Sequence, residues 1–254
     1  MLLAAFTLAS PAAAQDAASA YARLLATHVR PATIAGIQLA AVDYGALKAD
    51  PDYARALAHL AEARIETLRS DAEAIAFWLN AYNLLAIKAV VDRYPVASIK
   101  DGGSFLQSIW KKKVGTVGGR EYALDDIEHS ILRARFREPR IHMAIVCASL
   151  SCPDLKTEPY VAERLSAQLD DATRRFLGNP AKGVRPGADG RTAQVSSIFR
   201  WFAADFAGAD GVVRFIGAHA AGEVSRSLTG LSPAGLTYLP YDWSLNDVRR
   251  DGER

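Results

Sequence analysis

Cysteine is scarce in this chain, and its two copies lie close together. Among 254 residues only Cys147 and Cys152 carry a thiol. A framework of several disulfides is therefore excluded, whereas a single bridge between these two is the ordinary expectation in an oxidising compartment. The competing interpretation is that one of the two thiols is free and has a chemical role.

Broad basic stripes are also missing. The chain has 30 Lys and Arg against 28 Asp and Glu, and its only compact basic run is Lys111-Lys112-Lys113. Nucleic-acid-binding proteins usually carry a wider basic surface, so we expect no nucleic acid partner and interpret the run as a solvated loop. Glycine-rich phosphate loops and nucleotide fingerprints are absent too, and nothing in the sequence predicts a cofactor.

Long apolar runs are lacking as well. Residues 2–8 form a short one, followed by small residues at Ala12 and Ala14, which fits a leader of residues 1–14 cleaved before Gln15. No other run approaches the roughly 18 apolar residues that a membrane-spanning helix needs. We therefore expect a periplasmic or secreted protein whose remaining residues, 15–254, form a single domain.

What the chain does contain is the patterning of an α+β fold. Hydrophobic residues make up 50% of it, and their spacing predicts many helices around a small, mostly antiparallel sheet. Residues 17–41 are predicted as a helix and a connector interrupted at Pro31, and residues 114–123 as a hairpin. Further helices are predicted over residues 51–68, 72–94, 124–136, 158–177, 197–206 and 212–220, and strands over 141–147 and 236–241.

The helix predicted over residues 72–94 is apolar on nearly all sides, as a central helix is. Asn80 and Asn83 are three residues apart and share one of its faces. A buried amide without a partner costs about 1–3 kcal/mol. Either these amides bond neighbouring loop backbone and fix the fold, or one of them supports a catalytic group or an oxyanion site.

The segment from Leu124 to Pro153 collects the reactive residue types of the chain. On the helix predicted over residues 124–136, Glu128 falls inside the apolar arc and His129 at its edge. A carboxyl turned toward the core breaks the usual pattern, which points to a functional site or to a structural ion pair, for example with Arg135. Adjacent helical residues point about 100° apart, so Glu128 and His129 should face different partners.

The apolar strand predicted from Ile141 to Cys147 suggests a base for the thiol. Side chains alternate along a strand, which would put His142 and Cys147 on opposite faces. His129, on a helix that can pack back on this strand, is then the nearer candidate. A thiol becomes a useful nucleophile when a base or positive potential stabilises its thiolate.

Cys152, just before Pro153, has three interpretations: a disulfide partner of Cys147, a resolving thiol, or a buried residue. A zinc site built from both cysteines with His129 and His142 fits no standard ligand spacing, and strand alternation would split its ligands. We therefore expect no metal.

Several motifs occur in an order that resembles a known family. They are Ala76–Asn83, Asp126–Arg133, Pro139–Cys147, Ser151–Pro153 and Tyr241–Asn246. Over residues 70–246 the chain resembles the domain of unknown function 547 (DUF547) family, found in exported bacterial proteins and in plant proteins with coiled-coil partners.

The resemblance implies a thiol hydrolase of papain or transglutaminase type with a Glu–His–Cys set. By position, these residues are Glu128, His129 and Cys147. Plant members lack a cysteine at the position of Cys152, which argues against that residue as the nucleophile.

The leading hypothesis is a periplasmic cysteine-dependent hydrolase or acyl transferase that cleaves an amide or ester bond. Its substrate would be an unidentified small molecule, peptide or protein. Cys147 would be the nucleophile, His129 the base and Glu128 a stabilising group, supported by Asn80 or Asn83. The alternative is a non-catalytic periplasmic binding or scaffold domain in which Cys147 and Cys152 form a structural disulfide.

Overall fold

The computed structural model describes residues 11–103 and 108–252 of the chain. This part is made of helices and small β-sheets. The fold is α+β, as predicted. Residues 1–10 of the predicted leader lie outside this part. The helices are α1 (Pro11–His28), α2 (Tyr44–Ala49), α3 (Pro51–Ala61), α4 (Asp71–Val91), α5 (Leu165–Leu177), α6 (Ile198–Trp201), α7 (Gly208–His219) and α8 (Gly222–Ser227). A wide π-helix covers Asp126–Arg133, and 3₁₀ turns include Pro139–Met143 and Ala203–Phe206.

Within residues 11–103 and 108–252, the strands form three separate small sheets instead of the single one expected. They are β1 (Val29–Ile34), β2 (Ile37–Val42), β3 (Lys113–Val117), β4 (Arg120–Ala123), β5 (Val184–Pro186), β6 (Ala193–Val195) and β7 (Leu236–Tyr238). The pairs β1–β2, β3–β4 and β5–β6 are antiparallel, whereas β6 and β7 are parallel. The expectation of mostly antiparallel pairing is therefore met.

Helix α4 is the centre of the larger hydrophobic core. Ser70 caps it by accepting a hydrogen bond from the Glu73 backbone N–H, while the Glu73 carboxylate accepts one from Ser70 N–H. Its length and composition would also suit a membrane span. However, 83% of its most apolar 18-residue window is buried inside the structure, as in the core helix of a soluble protein.

A β-hairpin takes the place of the connector predicted after α1. Strands β1 and β2 pair from Val29 opposite Val42 to Ile34 opposite Ile37. Ala35 and Gly36 form the turn with φ of 50° and 74°, the left-handed values that a two-residue hairpin turn needs. Alanine in the first turn position hides this hairpin from the sequence, because Asn or Asp is the usual signal there.

Two hydrophobic cores meet beside the segment that precedes Cys147. The larger one surrounds α4 and includes Ile145 and Val146. The second lies among α5, α6 and α7 and includes Met143. Successive residues of one short segment thus anchor in both cores, and a cleft opens where the two cores adjoin.

The C-terminal segment closes the fold over this region. Leu150 N–H donates to Ser244 O at 2.9 Å, and Asn246 N–H donates to Ala148 O at 3.1 Å. The Asn246 side chain accepts from the Tyr44 hydroxyl at 2.7 Å. Backbone hydrogen bonds from the C-terminal segment therefore fix the position of the residues that follow Cys147.

Candidate functional site

A single cleft of about 200 Å³ contains most of the reactive side chains singled out in the sequence. Glu128, His129, His142, Cys147 and Cys152 all line it. The remaining lining residues are Tyr82, Trp110, Asp125, Ile145, Pro153, Ile198, Trp201, Phe202, Tyr241 and Trp243.

The segment from residue 141 to 147 is not a strand, which corrects the prediction. It begins in the 3₁₀ turn Pro139–Met143 and continues as irregular chain without a neighbouring strand. Asn83 of α4 supplies the missing hydrogen bonds: its Nδ2 donates to Ala144 O at 3.0 Å, and its Oδ1 accepts from Val146 N–H at 2.9 Å. The apolar run is thus buried without a sheet.

This local structure also overturns the argument from alternating faces. His142 lies in the 3₁₀ turn and Cys147 in the irregular stretch after it, so two-residue periodicity does not connect them. Both side chains line the same cleft. His142, which the predicted strand turned away from the thiol, therefore becomes a member of the site.

The Cys147 thiol is surrounded by hydrogen-bonding groups. Its Sγ lies 3.0 Å from Cys152 Sγ, 3.2 Å from the Tyr241 hydroxyl and 3.3 Å from Ser149 Oγ. The hydrogen bond from Cys152 is the main cause that lowers the pKa of Cys147 to about 7, against the opposing effect of burial. Both cysteines are free thiols in the structure.

The partner thiol behaves in the opposite way. Burial is the main cause that raises the pKa of Cys152 well above its ordinary value, and the nearby Cys147 adds to this. The two cysteines thus differ: Cys147 is an acidic thiol, and Cys152 keeps its proton.

Ala148, directly after Cys147, has a φ of 60°. This left-handed conformation is uncommon for a residue with a side chain and occurs often at functional sites.

Glu128 points into the protein, as the sequence predicted, and is 6% exposed. The element that carries it is a π-helix, a rare form that is frequent at functional sites. Its carboxyl accepts a hydrogen bond from the Tyr82 hydroxyl at 3.3 Å, so its partner is Tyr82 and not Arg135. Burial raises the pKa of Glu128 to about 7, which makes it both a proton donor and an acceptor near neutral pH.

His129 contacts different partners from those of Glu128, as expected for two adjacent residues of one helix. Its side chain is exposed, with Nδ1 2.6 Å from an Arg133 guanidinium nitrogen and Nε2 3.7 Å from an Asp125 carboxylate oxygen. An arginine can only donate, so the Nδ1 lone pair is occupied. Within the described residues, no hydrogen bond joins His129 to Cys147.

His142 is buried and firmly oriented. Its Nε2 lies 2.7 Å from Asp205 Oδ2, and its ring stacks on Phe202 with centroids 4.2 Å apart. Burial is the main cause that lowers the pKa of His142 to about 4, although Asp205 opposes this. Its Nδ1 is buried without a hydrogen-bond partner.

Asp205 is one of the site residues that the sequence interpretation missed, together with Tyr82 and Ser149. It lies in the 3₁₀ turn Ala203–Phe206 and also binds the Arg133 guanidinium through both carboxylate oxygens. The only signal in the sequence is an acid between Phe202 and Phe206, a break in an apolar pattern like that at Glu128.

Aromatic side chains form the walls of the cleft. Three of the four tryptophans of the chain line it: Trp110, Trp201 and Trp243. The rings of Trp201 and Trp243 stack at 5.8 Å with 21° between their planes, and Trp201 is 42% exposed. Apolar walls limit water at the thiol and offer flat surfaces to a bound group.

Asn80 has a different role from that of Asn83. Its Oδ1 accepts from Tyr160 N–H at 2.9 Å, and its Nδ2 donates to Tyr160 O at 2.8 Å. Both amides therefore bond loop backbone, which was one of the two interpretations of the sequence. Only Asn83 bonds the segment that leads into Cys147.

Fold and cleft together define the class of protein: an α+β domain with a thiol pair, a buried carboxyl and two histidines around one aromatic-walled cleft. Among residues 11–103 and 108–252, no group of three or more His, Cys, Asp or Glu side chains is arranged to hold a metal ion.

Residues 65–177 match the family model described as "Protein of unknown function, DUF547". The matched part contains Glu128, His129 and Cys147, and the match agrees with the family resemblance that the motifs predicted. No curated protein and no solved structure gives a significant match. The likeness to papain or transglutaminase and the export of the protein therefore stay predictions.

Proposed function

We propose that this protein is a cysteine-dependent hydrolase or acyl transferase that acts on an amide or ester bond, with Cys147 as the nucleophile. The observation that carries the proposal is the cleft itself. It brings Cys147 together with Glu128 and His129 of the π-helix and with His142 of the 3₁₀ turn Pro139–Met143. Such a combination of nucleophile and acid–base groups is what acyl transfer requires.

The environment of Cys147 supports this role. A thiol with a pKa of about 7 is about half ionised at pH 7, and the thiolate is the reactive form. A histidine of the cleft takes the thiol proton, and the thiolate then attacks a carbonyl carbon to give a thioester. Glu128, with its raised pKa, stabilises charge or exchanges protons beside the reacting groups.

Location is part of the same proposal. The apolar start and the small residues before Gln15 favour export to a periplasmic or external compartment. Sequencing the N-terminus of protein recovered from the native cell would show whether the mature chain begins at Gln15.

The direct test is alkylation of the full chain by iodoacetamide over a range of pH, followed by peptide mapping. We expect Cys147 to be labelled first, with a rate that titrates near pH 7. Cys152→Ala should shift this midpoint upward, toward the value of about 8.5 for a free thiol, because it removes the main hydrogen bond to Cys147. Ser149→Ala serves as the matched control and should shift it less, since its hydrogen bond contributes less.

Activity is tested with p-nitrophenyl acetate as a generic acyl donor. We expect a thioester at Cys147, seen as one added acetyl group in the intact mass, and no such adduct in Cys147→Ala. Failure of the reduced protein to be acylated at Cys147 would contradict the proposal.

A non-catalytic scaffold domain is the second candidate. The observation that favours it is the contact of 3.0 Å between the two sulfur atoms, which places them ready to form a disulfide. Its expected result is a native protein that is two hydrogen atoms lighter than the reduced form and in which neither thiol reacts. Cys147→Ser would then lower the melting temperature without a loss of any activity.

A further inference from the structure

His142 carries a buried nitrogen that the fold leaves without a partner. The side chain is 1% exposed, and no described group bonds its Nδ1. An unpaired buried polar atom costs about 1–3 kcal/mol, and such atoms in native structures call for a functional or structural explanation. The same side chain lines the cleft of Cys147. No hydrogen bond joins the two residues in this structure, so the thiol proton reaches Nδ1 only when one of the two side chains moves toward the other.

Asp205 determines which nitrogen is available. A carboxylate 2.7 Å from Nε2 holds the proton there, so Nδ1 has the free lone pair. Phe202, stacked at 4.2 Å, and Phe206, at 5.6 Å, fix the plane of the ring. Burial, which outweighs the effect of Asp205, lowers the pKa of His142, so the ring is neutral at pH 7 and can accept a proton. The stacked ring of Phe202 holds its acceptor atom in one orientation.

His129 lacks these features. Its ring is exposed, and Arg133 occupies the Nδ1 lone pair. The charged or titratable groups that act on His142 are Asp205, Arg133 and His129. Of these, only Asp205 accepts a hydrogen bond from the ring, and it also holds Arg133.

We infer that His142, oriented by Asp205, is the general base that activates Cys147, and that its Nδ1 is the atom that takes the thiol proton. The inference rests on the proposed function and replaces His129 as the base. Asp205 is a positioning residue: it keeps its negative charge, fixes the tautomer and stabilises the imidazolium when it forms.

In acyl transfer through Cys147, one nitrogen, His142 Nδ1, takes and returns the proton at each step. The Cys147 S–H proton moves to His142 Nδ1, and the thiolate electron pair forms the bond to the carbonyl carbon while the C=O π electrons move to oxygen. When this intermediate collapses, the bond to the amine or alcohol breaks, and the leaving group takes the proton from Nδ1. Water, or an acceptor nucleophile, then gives a proton to the same nitrogen, attacks the thioester and releases Cys147, which regains the proton.

The experiment measures the rate of acetyl transfer from p-nitrophenyl acetate to Cys147 between pH 5 and 9 in the full chain. His142→Gln should lower the rate at pH 5, where Cys147 still holds its proton, by about 10²-fold, as loss of a general base does, and should lower it much less at pH 9, where the thiol ionises without a base. Asp205→Asn should lower it by about 10- to 100-fold and move the pH midpoint of the rate, as loss of an orienting partner does. His219→Gln, outside the cleft, is the matched control and should leave the rate unchanged.

His129→Gln separates the two histidines. A large loss of rate in His129→Gln with none in His142→Gln would overturn the inference while the proposed function stands. Absence of acylation at Cys147 in the native chain would overturn both.

A second measurement does not depend on the folding of a variant. In native protein labelled with ¹⁵N-histidine, blocking Cys147 with methyl methanethiosulfonate should shift the His142 Nδ1 resonance and its titration more than those of His129. The reverse order of shifts would also overturn the inference.

Discussion

Glu128 links the chemistry of the cleft to the stability of the fold. Its pKa is raised from 4.5 to about 7 in the folded chain, mainly because it is buried. Between these two pH values the folded chain keeps a proton that the unfolded chain releases. The free energy of unfolding must therefore fall as the pH rises through this window.

Glu128→Gln is expected to remove this dependence, because the amide is neutral throughout. Near pH 5 the variant and the wild type should have similar stabilities, whereas at pH 8 the variant should be more stable by about 3 kcal/mol. Urea unfolding at the two pH values measures the difference.

Glu158→Gln is the control for this prediction. The pKa of Glu158 is lowered, chiefly by its hydrogen bond from Gln168, so the carboxyl is already ionised in folded and unfolded chains across this window. The stability difference of that variant from wild type should hardly change between pH 5 and 8. An equal change in both variants would contradict the assignment to Glu128.

At the scale of single residues, the sequence identified some members of the site because they break an apolar pattern. Glu128 was found in this way, and its burial is confirmed. Asp205 breaks a similar pattern, but its partners His142 and Arg133 are about 60 to 70 positions away in the chain. No local periodicity brings such residues together, so only the folded structure reveals the contact.

Among the elements, α4 determines the position of Cys147 through one amide. Asn83→Ala would leave Val146 N–H and Ala144 O unpaired in the core. At about 1–3 kcal/mol for each group, we expect a loss of roughly 2–6 kcal/mol in the free energy of unfolding. The alkylation rate of Cys147 should also change, because the segment before it loses its support.

Asn80→Ala is the matched control, since Asn80 makes the same two kinds of hydrogen bond from the same helix but to Tyr160. It should lower the stability and leave the pH midpoint of Cys147 alkylation in place. Urea unfolding and iodoacetamide kinetics measure both effects. Equal changes at Cys147 in the two variants would show that Asn83 has no special role there.

Elements with local signals were predictable, and those defined by distant contacts were not. The cap at Ser70 and the hairpin over residues 113–123 follow from Ser, Glu and paired glycines in short stretches of sequence. The strand predicted over residues 141–147 is wrong because a side chain of α4, some 60 positions earlier, provides the hydrogen bonds that a neighbouring strand would. Apolar content alone does not distinguish these two ways of burying a segment of chain.

Across the whole molecule, the site draws on more than the region of the family match. Residues 65–177 supply Glu128, His129, His142 and both cysteines. Asp205, the aromatic wall at Trp201 and Trp243, and the hydroxyl of Tyr241 come from later parts of the chain. The matched region holds the reacting groups, whereas their orientation and shielding depend on the rest.

A chain that ends at Pro240 tests this dependence. It lacks the buried side chains Leu245 and Val248, which together stabilise the fold by roughly 3–6 kcal/mol, and it lacks the Tyr241 hydroxyl that contacts Cys147. We expect a lower melting temperature and a higher pH midpoint for alkylation of Cys147.

Tyr241→Phe in the full chain separates these two effects, because it removes the hydroxyl and keeps the packing of the C-terminal segment. The midpoint of alkylation should again rise, since the hydroxyl donates to the thiolate, while the melting temperature should fall much less than in the shortened chain. A shortened chain with the melting temperature and thiol reactivity of the full protein would show that residues 65–177 and their neighbours complete the site without the C-terminal segment.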